Sequence, residues 1–199
     1  MDKKRVAIVV AVIAAGLIAV LIGVSLRRSS PDQTTDPDSG AANNSPTQEE
    51  ISAARQAGTI RARIESTKGV IELELRGDLM PLTVANFVKL AESGFYDGLT
   101  FHRAEDWLIQ GGDPLGTGTG GPGYTIKLET HPQLKNVRGA LAMARKSDPD
   151  SAGSPFYILK EDAAWLDRQY AVFGYVTNGM DVVDKIQVGD RMNKVTILR

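Results

Sequence analysis

The chain has 199 residues, with 23 lysines and arginines against 24 aspartates and glutamates, and a formal net charge of −1. This length suits one ordinary domain with appendages, and the balanced charge gives no reason to expect a nucleic-acid partner. Cysteine is absent and the only histidines are His102 and His131, which excludes thiol nucleophiles, disulfides and the usual zinc ligand sets.

An apolar run without charged residues covers residues 6–26. At about 1.5 Å per residue, a helix of this length spans roughly the 30 Å hydrocarbon core of a bilayer. A cleaved signal peptide, the alternative, usually has an apolar region of only about 7 to 15 residues and a small-residue cleavage site. We therefore expect a transmembrane helix.

The basic residues beside this run indicate its orientation. Three precede it at positions 3–5 and two follow it at positions 27 and 28. Positive charge concentrates on the cytoplasmic side of membrane helices. Residues 1–5 are thus expected in the cytoplasm, and the rest of a single-pass cell-membrane protein outside it.

Residues 27–58 are expected to form a disordered linker. Their central part, 29–50, is rich in Ser, Pro, Asp, Asn and Thr and has no aliphatic side chain larger than alanine. Such a segment cannot bury enough apolar surface to offset the entropy of ordering. For Ile51 to Gly58, a helical turn or two is the alternative.

A globular pattern begins at Thr59 and continues to Arg199. The segments 59–66 and 69–76, "TIRARIES" and "GVIELELR", alternate apolar and charged residues and predict a hairpin. An amphipathic helix is predicted from Pro81 to Gly94 and a second within 179–189. The remaining short apolar runs between turn residues, "YTIKLE" among them, favour a mostly antiparallel barrel carrying two helices.

The glycine-rich segment 116–123, "GTGTGGPG", resembles a phosphate cradle only superficially. It lacks the Lys-Ser/Thr pair of a P-loop, and no helical pattern follows it. We interpret it as a surface loop. His102 and His131 are interpreted as packed, hydrogen-bonded residues, because two histidines without cysteines do not make a metal site.

Arg103 lies in the stretch "FHRAEDWLIQGGDP", with no acid, base or nucleophile of a known catalytic motif beside it. Large apolar residues from three segments accompany it and suit a shallow surface pocket. They are Trp107, Leu108, Tyr157, Trp165 and Leu166, while Phe156 is assigned to the core.

Four segments in this order resemble the signature segments of cyclophilins, the cyclophilin-type peptidyl-prolyl cis-trans isomerases. They are "FHRAEDWLIQGGDP", "GALAMAR", "SAGSPFYILK" and "AAWLDRQYAVFGYV". "VANFVKLAESGFYDGLTFHR" is also very similar to the helix and strand before the first signature in bacterial members. The resemblance covers 59–199 and does not include the predicted membrane helix and linker.

The resemblance implies a closed eight-stranded antiparallel barrel capped by two helices, with its site on the outer face and no cofactor. It further implies a monomer that accelerates rotation about X-Pro bonds of proline-containing polypeptides. The positions matching the family's site are the catalytic Arg103, the backbone-binding Gln110, the proline pocket of Trp107, Leu108, Tyr157 and Leu166, the backbone-pairing Ala144 and Arg145, and the rim residue Trp165. Tyr170 is a further substrate-binding position, at which many eukaryotic members have histidine.

Other positions depart from the family pattern. The segment "AED" between Arg103 and Trp107 is one residue shorter than usual, and Trp107 replaces the usual phenylalanine. Arg145 stands where asparagine is common, and Pro155 where glutamine is usual. These departures leave a second hypothesis open, a module or chaperone that binds proline-containing peptides with weak or no turnover.

Overall fold

A computed structural model describes residues 44–198 of the chain. The predicted cytoplasmic residues 1–5, the predicted transmembrane helix at 6–26 and most of the predicted linker lie outside this part. Among residues 44–198, no helix is both long enough and apolar enough to cross a bilayer.

A helix at Gln48–Ala57, α1, corrects the prediction that the whole of 27–58 is a disordered linker. The Thr47 side chain accepts a hydrogen bond from the Glu50 amide at 3.2 Å, and the Glu50 carboxylate accepts one from the Thr47 amide at 2.6 Å. This capping box satisfies two amides that a helix start leaves free. Ala54 is buried, so the helix is held by packing as well as by its cap.

The remaining elements follow in chain order. They are β1 (Thr59–Ser66), β2 (Gly69–Arg76), α2 (Pro81–Glu92), β3 (Arg103–Ala104), β4 (Leu108–Gly111), β5 (Ala140–Met143), β6 (Phe156–Leu159), a 3₁₀ turn (Ala164–Leu166), β7 (Val172–Asn178), α3 (Met180–Lys185) and β8 (Met192–Leu198). The predicted hairpin is confirmed as β1 and β2, which pair from Thr59 opposite Arg76. Both predicted helices are confirmed as α2 and α3.

One eight-stranded sheet contains every strand among residues 44–198, in the order β3-β4-β6-β5-β7-β2-β1-β8. Neighbouring strands are antiparallel throughout. The expected closed barrel is wrong in one respect, because the end strands β3 and β8 do not pair. β3 has only two residues. The segments that precede β3 and β8 are joined by an isolated bridge between Thr100 and Arg191. The run "YTIKLE" forms no strand either, only a bridge from Ile126 to Ala152.

Aromatic side chains fill the core between α2 and the sheet. The Phe87 ring of α2 lies 5.1 Å from Tyr96, 5.7 Å from Phe156 and 5.4 Å from Phe173, measured between ring centroids. All four side chains are fully buried, and the assignment of Phe156 to the core is confirmed. This packing fixes the concave side of the sheet and leaves the other side of β3, β4 and β6 to form a surface.

Candidate active site

Strand register places the polar residues of the site in one row. Arg103 on β3 lies opposite Gln110 on β4, which lies opposite Tyr157 on β6. Residues directly opposite each other in antiparallel strands have side chains on the same face. The alternate positions, such as Ile109 and Ile158, are completely buried on the other face. The sheet therefore places Arg103, Gln110 and Tyr157 on the same face, where Arg103 and Gln110 are half-buried and Tyr157 is buried.

The Arg103 guanidinium is held from several directions. Its Nε donates to Glu105 Oε1 at 2.7 Å, and its Nη1 donates to Gln110 Oε1 at 3.4 Å. Its Cζ also lies 5.6 Å from the centroid of the Trp107 ring, within cation-π range. A permanently charged donor is thus presented at the surface with its orientation restrained.

Gln110 continues this hydrogen-bonded chain to His102. Gln110 Nε2 lies 3.2 Å from His102 Nε2. Since Gln110 Oε1 already accepts from Arg103, its amide group must donate, and His102 Nε2 must accept. Burial, the largest effect, lowers the pKa of His102 from its usual 6.5; Asp113 opposes this change and Arg103 adds to it. The neutral form that can accept is therefore favoured.

Two tryptophans form the apolar side of the site. The Trp107 and Trp165 rings lie 6.1 Å apart between centroids and are tilted by 51°. Trp165 is 60% exposed and lies in the 3₁₀ turn at Ala164–Leu166. The Gln169 side chain donates to the Trp165 carbonyl at 2.6 Å and steadies this turn. An exposed indole of this kind is available to contact a bound peptide.

A second cluster of the site is centred on Tyr170, which contacts both Tyr157 and Arg145. The Tyr157 and Tyr170 rings meet edge to face at 5.9 Å, and the Arg145 Cζ lies 4.6 Å from the Tyr170 ring centroid. Arg145 also donates to the carbonyls of Lys146, Ser147 and Gln169. Its side chain therefore builds the wall of the site and holds the neighbouring loop.

A buried polar support lies beneath Tyr157. The Tyr157 hydroxyl donates to Asn136 Oδ1 at 2.8 Å. Asn136 in turn donates to Asp167 Oδ1 through both its backbone N–H and its side-chain Nδ2. Burial, with nearby Tyr170 and Asp167, raises the pKa of Tyr157 well above its usual value. The ring is therefore a fixed, uncharged wall.

A groove with a volume of about 330 Å³ opens beside Gln110. The glycine-rich segment predicted as a surface loop forms one side, and the strand continuation after β5 forms the other. Its lining includes Gly118, Gly120, Ala144, Lys146 and Pro155. The Ala144 amide donates to the Pro155 carbonyl at 2.9 Å, which extends the sheet into the groove wall. A cation fixed on a strand, an aromatic patch and an adjoining groove together suit an extended peptide.

A family model for the cyclophilin-type peptidyl-prolyl cis-trans isomerases matches residues 59–199. The chain belongs to this family. A peptidyl-prolyl cis-trans isomerase of Helicobacter pylori is 45% identical over 150 residues, which cover 73% of this chain and 91% of that protein. Peptidyl-prolyl cis-trans isomerase B of Bacillus subtilis is 49% identical over 130 residues, covering 64% and 90% respectively.

Solved cyclophilin structures show the same fold. A Cryptosporidium parvum cyclophilin-type isomerase superposes with a TM-score of 0.66 at 30% identity, covering 71% of this chain and 98% of that one. The structure of that protein determined in the presence of the dipeptide Ala-Pro superposes with a TM-score of 0.65. The chain is therefore an enzyme, a peptidyl-prolyl cis-trans isomerase.

The cyclophilin domain brings most of the predicted site residues together. Arg103, Gln110, Trp107 and Trp165 form one contact group, and Tyr157, Tyr170 and Arg145 form the stacked wall. Ala144 lies in the groove beside Gln110. Leu108 is 2% exposed, and Leu166 is partly buried against the core.

Residue-by-residue reasoning missed Glu105, Asn136 and the glycine-rich loop as parts of the cyclophilin site. The only signal for Glu105 was its closeness in sequence to Arg103 and Trp107, because it lies in the turn after β3 and not in the strand. Asn136 carried no local signal, since its partners Tyr157 and Asp167 are distant in sequence.

Proposed function

We propose that Arg103 provides the main catalytic interaction of this isomerase. Rotation about an X-Pro bond has a barrier near 20 kcal/mol because the planar amide loses its resonance, and no covalent bond breaks. As the bond twists, the proline nitrogen becomes pyramidal and its lone pair can accept a hydrogen bond. A guanidinium donor directed at that nitrogen binds the twisted state better than either planar isomer.

One hydrogen bond cannot supply the whole acceleration. A millionfold rate increase requires about 8 kcal/mol, whereas a hydrogen bond to a charged group contributes about 1.5 to 3 kcal/mol. The remainder comes from holding the proline ring while the other side of the bond rotates. We assign the ring to the pocket of Trp107, Leu108, Tyr157 and Leu166.

The rest of the site holds the peptide backbone. Gln110 binds the substrate backbone beside the rotating X-Pro bond. The Ala144–Arg145 segment pairs with the same backbone along the groove. Trp165 and Tyr170 flank the bound segment at the rim. The observation that carries this proposal is the fixed guanidinium of Arg103, bonded to Gln110 and stacked near Trp107 on one exposed face.

Isomerisation of a chromogenic or NMR-visible X-Pro peptide tests the proposed roles. The wild-type chain should accelerate cis-to-trans conversion, and Arg103→Ala should remove most of that acceleration. Arg63→Ala is a matched control, because Arg63 pairs with Glu72 on β1 and β2, away from the site. Full activity in Arg103→Ala would show that another group carries the reaction.

The cellular setting is proposed from the sequence alone. A helix at 6–26 would anchor the chain in the cell membrane, with residues 27–47 as a tether and the isomerase domain outside the cytoplasm. Its substrates would then be proline-containing segments of exported proteins. Protease added to intact spheroplasts should remove the domain, while complete protection would contradict this orientation.

A second candidate function is a binding module with weak turnover. The observation that favours it is the ion pair between Arg103 and Glu105, which places a negative charge beside the proposed catalytic cation. Measuring peptide affinity and isomerisation on the same preparation separates the two. Tight binding without acceleration by the folded chain would favour the module.

A further inference from the structure

The Glu105 carboxylate joins two residues of the site. One oxygen accepts from Arg103 Nε and the other accepts from the Trp107 indole Nε1, both at 2.7 Å. Arg103 in turn lies over the Trp107 ring, so the three side chains close a triangle. Together these bonds fix the direction of the cation and the tilt of the indole.

The backbone around Glu105 is also anchored. The Glu105 amide donates to the Leu108 carbonyl at 2.8 Å and closes the tight turn between β3 and β4. Lys160 donates through Nζ to the Glu105 carbonyl at 3.0 Å and through its amide to the Trp107 carbonyl at 2.8 Å. The shortened "AED" segment is therefore a bonded turn that presents the carboxylate in a defined place.

Two of the five guanidinium N–H groups of Arg103 are committed by these contacts, one to Glu105 and one to Gln110. The others remain for a substrate. Since a planar guanidinium held at two edges cannot turn about its own axis, those donors keep a fixed direction.

We infer that Glu105 is a positioning residue, which orients the Arg103 guanidinium and the Trp107 indole for catalysis; this inference rests on the proposed role of Arg103. It acts through those two side chains and makes no contact with substrate in this role. The carboxylate thereby supplies, in the shortened turn, a constraint on the cation that the turn backbone alone does not give.

The charge state and both oxygens of Glu105 are needed for this role. A carboxylate accepts at both oxygens, whereas the glutamine amide has one acceptor oxygen and an NH2 group that only donates. Glu105→Gln can therefore satisfy Arg103 or Trp107, but not both. The side chains of Arg103 and Glu105 are 42% and 43% exposed, so their ion pair contributes little to folding stability.

The test uses the full-length chain in detergent or nanodiscs, with Glu105→Gln, Glu105→Ala, Arg103→Ala and the matched control Asp106→Asn. Asp106 is the exposed neighbour of Glu105, and its substitution removes the same charge from the same turn. Isomerisation is measured to give kcat and KM separately, and thermal unfolding checks that each variant is folded. Fluorescence gives a second readout, since both tryptophans of the chain, Trp107 and Trp165, lie in the site.

We expect both Glu105 variants to unfold as the wild type does, to lose roughly tenfold or more in kcat with a smaller change in KM, and to change in tryptophan emission. A displacement of about 1 Å at a reacting group can cost about a hundredfold in rate. Asp106→Asn should match the wild type in each property.

The outcomes separate this inference from the function on which it rests. If Arg103→Ala is inactive while the Glu105 variants keep wild-type kcat, positioning by Glu105 is overturned and the role of Arg103 stands. Higher kcat in Glu105→Gln would also overturn it, because the carboxylate would then be lowering the activity of Arg103 and not orienting it for catalysis. If Arg103→Ala is fully active, the proposed role of Arg103 fails and the inference fails with it.

Discussion

Arg103 and Gln110 lie directly opposite each other on β3 and β4, and the arginine Nη1 donates to the glutamine Oε1 at 3.4 Å. Because Gln110 Oε1 accepts from Arg103, the Gln110 side-chain Nε2 is directed at His102. The pairing thus fixes the orientation of both Arg103 and Gln110. The strand register of a short hairpin therefore sets the geometry of the proposed catalytic pair.

Removal of the Gln110 side chain should reduce activity without unfolding the domain. Gln110→Ala takes away one restraint on Arg103 and the proposed contact with the substrate backbone. Since hydrogen bonds to charged groups contribute about 1.5 to 3 kcal/mol, we expect kcat/KM to fall roughly 10- to 100-fold. Gln187→Ala, at an exposed position after α3, is the control and should leave kcat/KM unchanged.

Activity should decline on the acidic side as His102 becomes protonated. Burial lowers the pKa of His102 from 6.5, so the decline should lie below pH 6.5. A protonated ring would direct an N–H at the Gln110 amide group, force that amide to turn, and break its bond with Arg103. The pH profile of kcat/KM checks this, with His102→Gln as the variant that has no titrating ring. A profile with the same acidic decline in His102→Gln would assign it to another group.

Arg168 has the backbone strain of a left-handed conformation. Its φ of 62° makes it the one non-glycine residue with positive φ among residues 44–198. This left-handed conformation costs a non-glycine residue roughly 1 to 2 kcal/mol. Glycine would avoid that strain, but it would also lose more backbone entropy on folding, so only part of the cost is recovered. Arg168→Gly should raise the free energy of unfolding by roughly 0.5 to 1 kcal/mol in urea denaturation. Arg168→Val should lower it, and a loss of stability in Arg168→Gly would contradict the strain.

Asp113 organises the glycine-rich side of the groove. Its carboxylate accepts from the amides of Leu115, Thr117 and Gly118, and it is 1% exposed. Asp113→Ala leaves these amides unpaired, so we expect a loss of about 1 to 3 kcal/mol in unfolding free energy. Weaker peptide binding should accompany it, because the loop lines the groove.

The same carboxylate predicts a pH dependence of stability. Burial alone would raise the pKa of Asp113, but the backbone amides that it accepts from lower it below its usual 3.8. A group with a lowered folded pKa stabilises the fold above its unfolded pKa, and this contribution disappears as pH falls through the folded pKa. Asp113→Asn should therefore reduce the acid-induced loss of stability below pH 3.8, measured as the free energy of unfolding against pH.

Local pattern predicted the β1–β2 hairpin and both helices α2 and α3, because alternation and helical periodicity are recorded in adjacent residues. It gave α1 only as an alternative, a helical turn or two from Ile51 to Gly58, because the helix depends on the capping box at Thr47 and on burial of Ala54. Nor did it predict the unpaired ends of the sheet, because the two-residue length of β3 depends on the turn that follows.

The candidate site divides in the same way. Family resemblance identified Arg103 and Gln110, whose geometry follows from strand register. The bridge made by Glu105 depends on the conformation of a shortened turn, and the support of Tyr157 by Asn136 joins residues from separate segments. Such contacts leave no periodic pattern, so they become visible only once the chain is folded.

The most direct measurement separates binding from rotation at Arg103. Exchange spectroscopy on a proline peptide at equilibrium gives both the dissociation constant and the cis-trans rate on the enzyme, for wild type, Arg103→Lys and Arg103→Ala. If the guanidinium stabilises the twisted bond, the dissociation constant should change little, while the on-enzyme rate should fall roughly a hundredfold in Arg103→Ala. Arg103→Lys should fall between the two, since it keeps the charge but loses the planar donor. An unchanged on-enzyme rate in Arg103→Ala, with any loss confined to binding, would contradict the account.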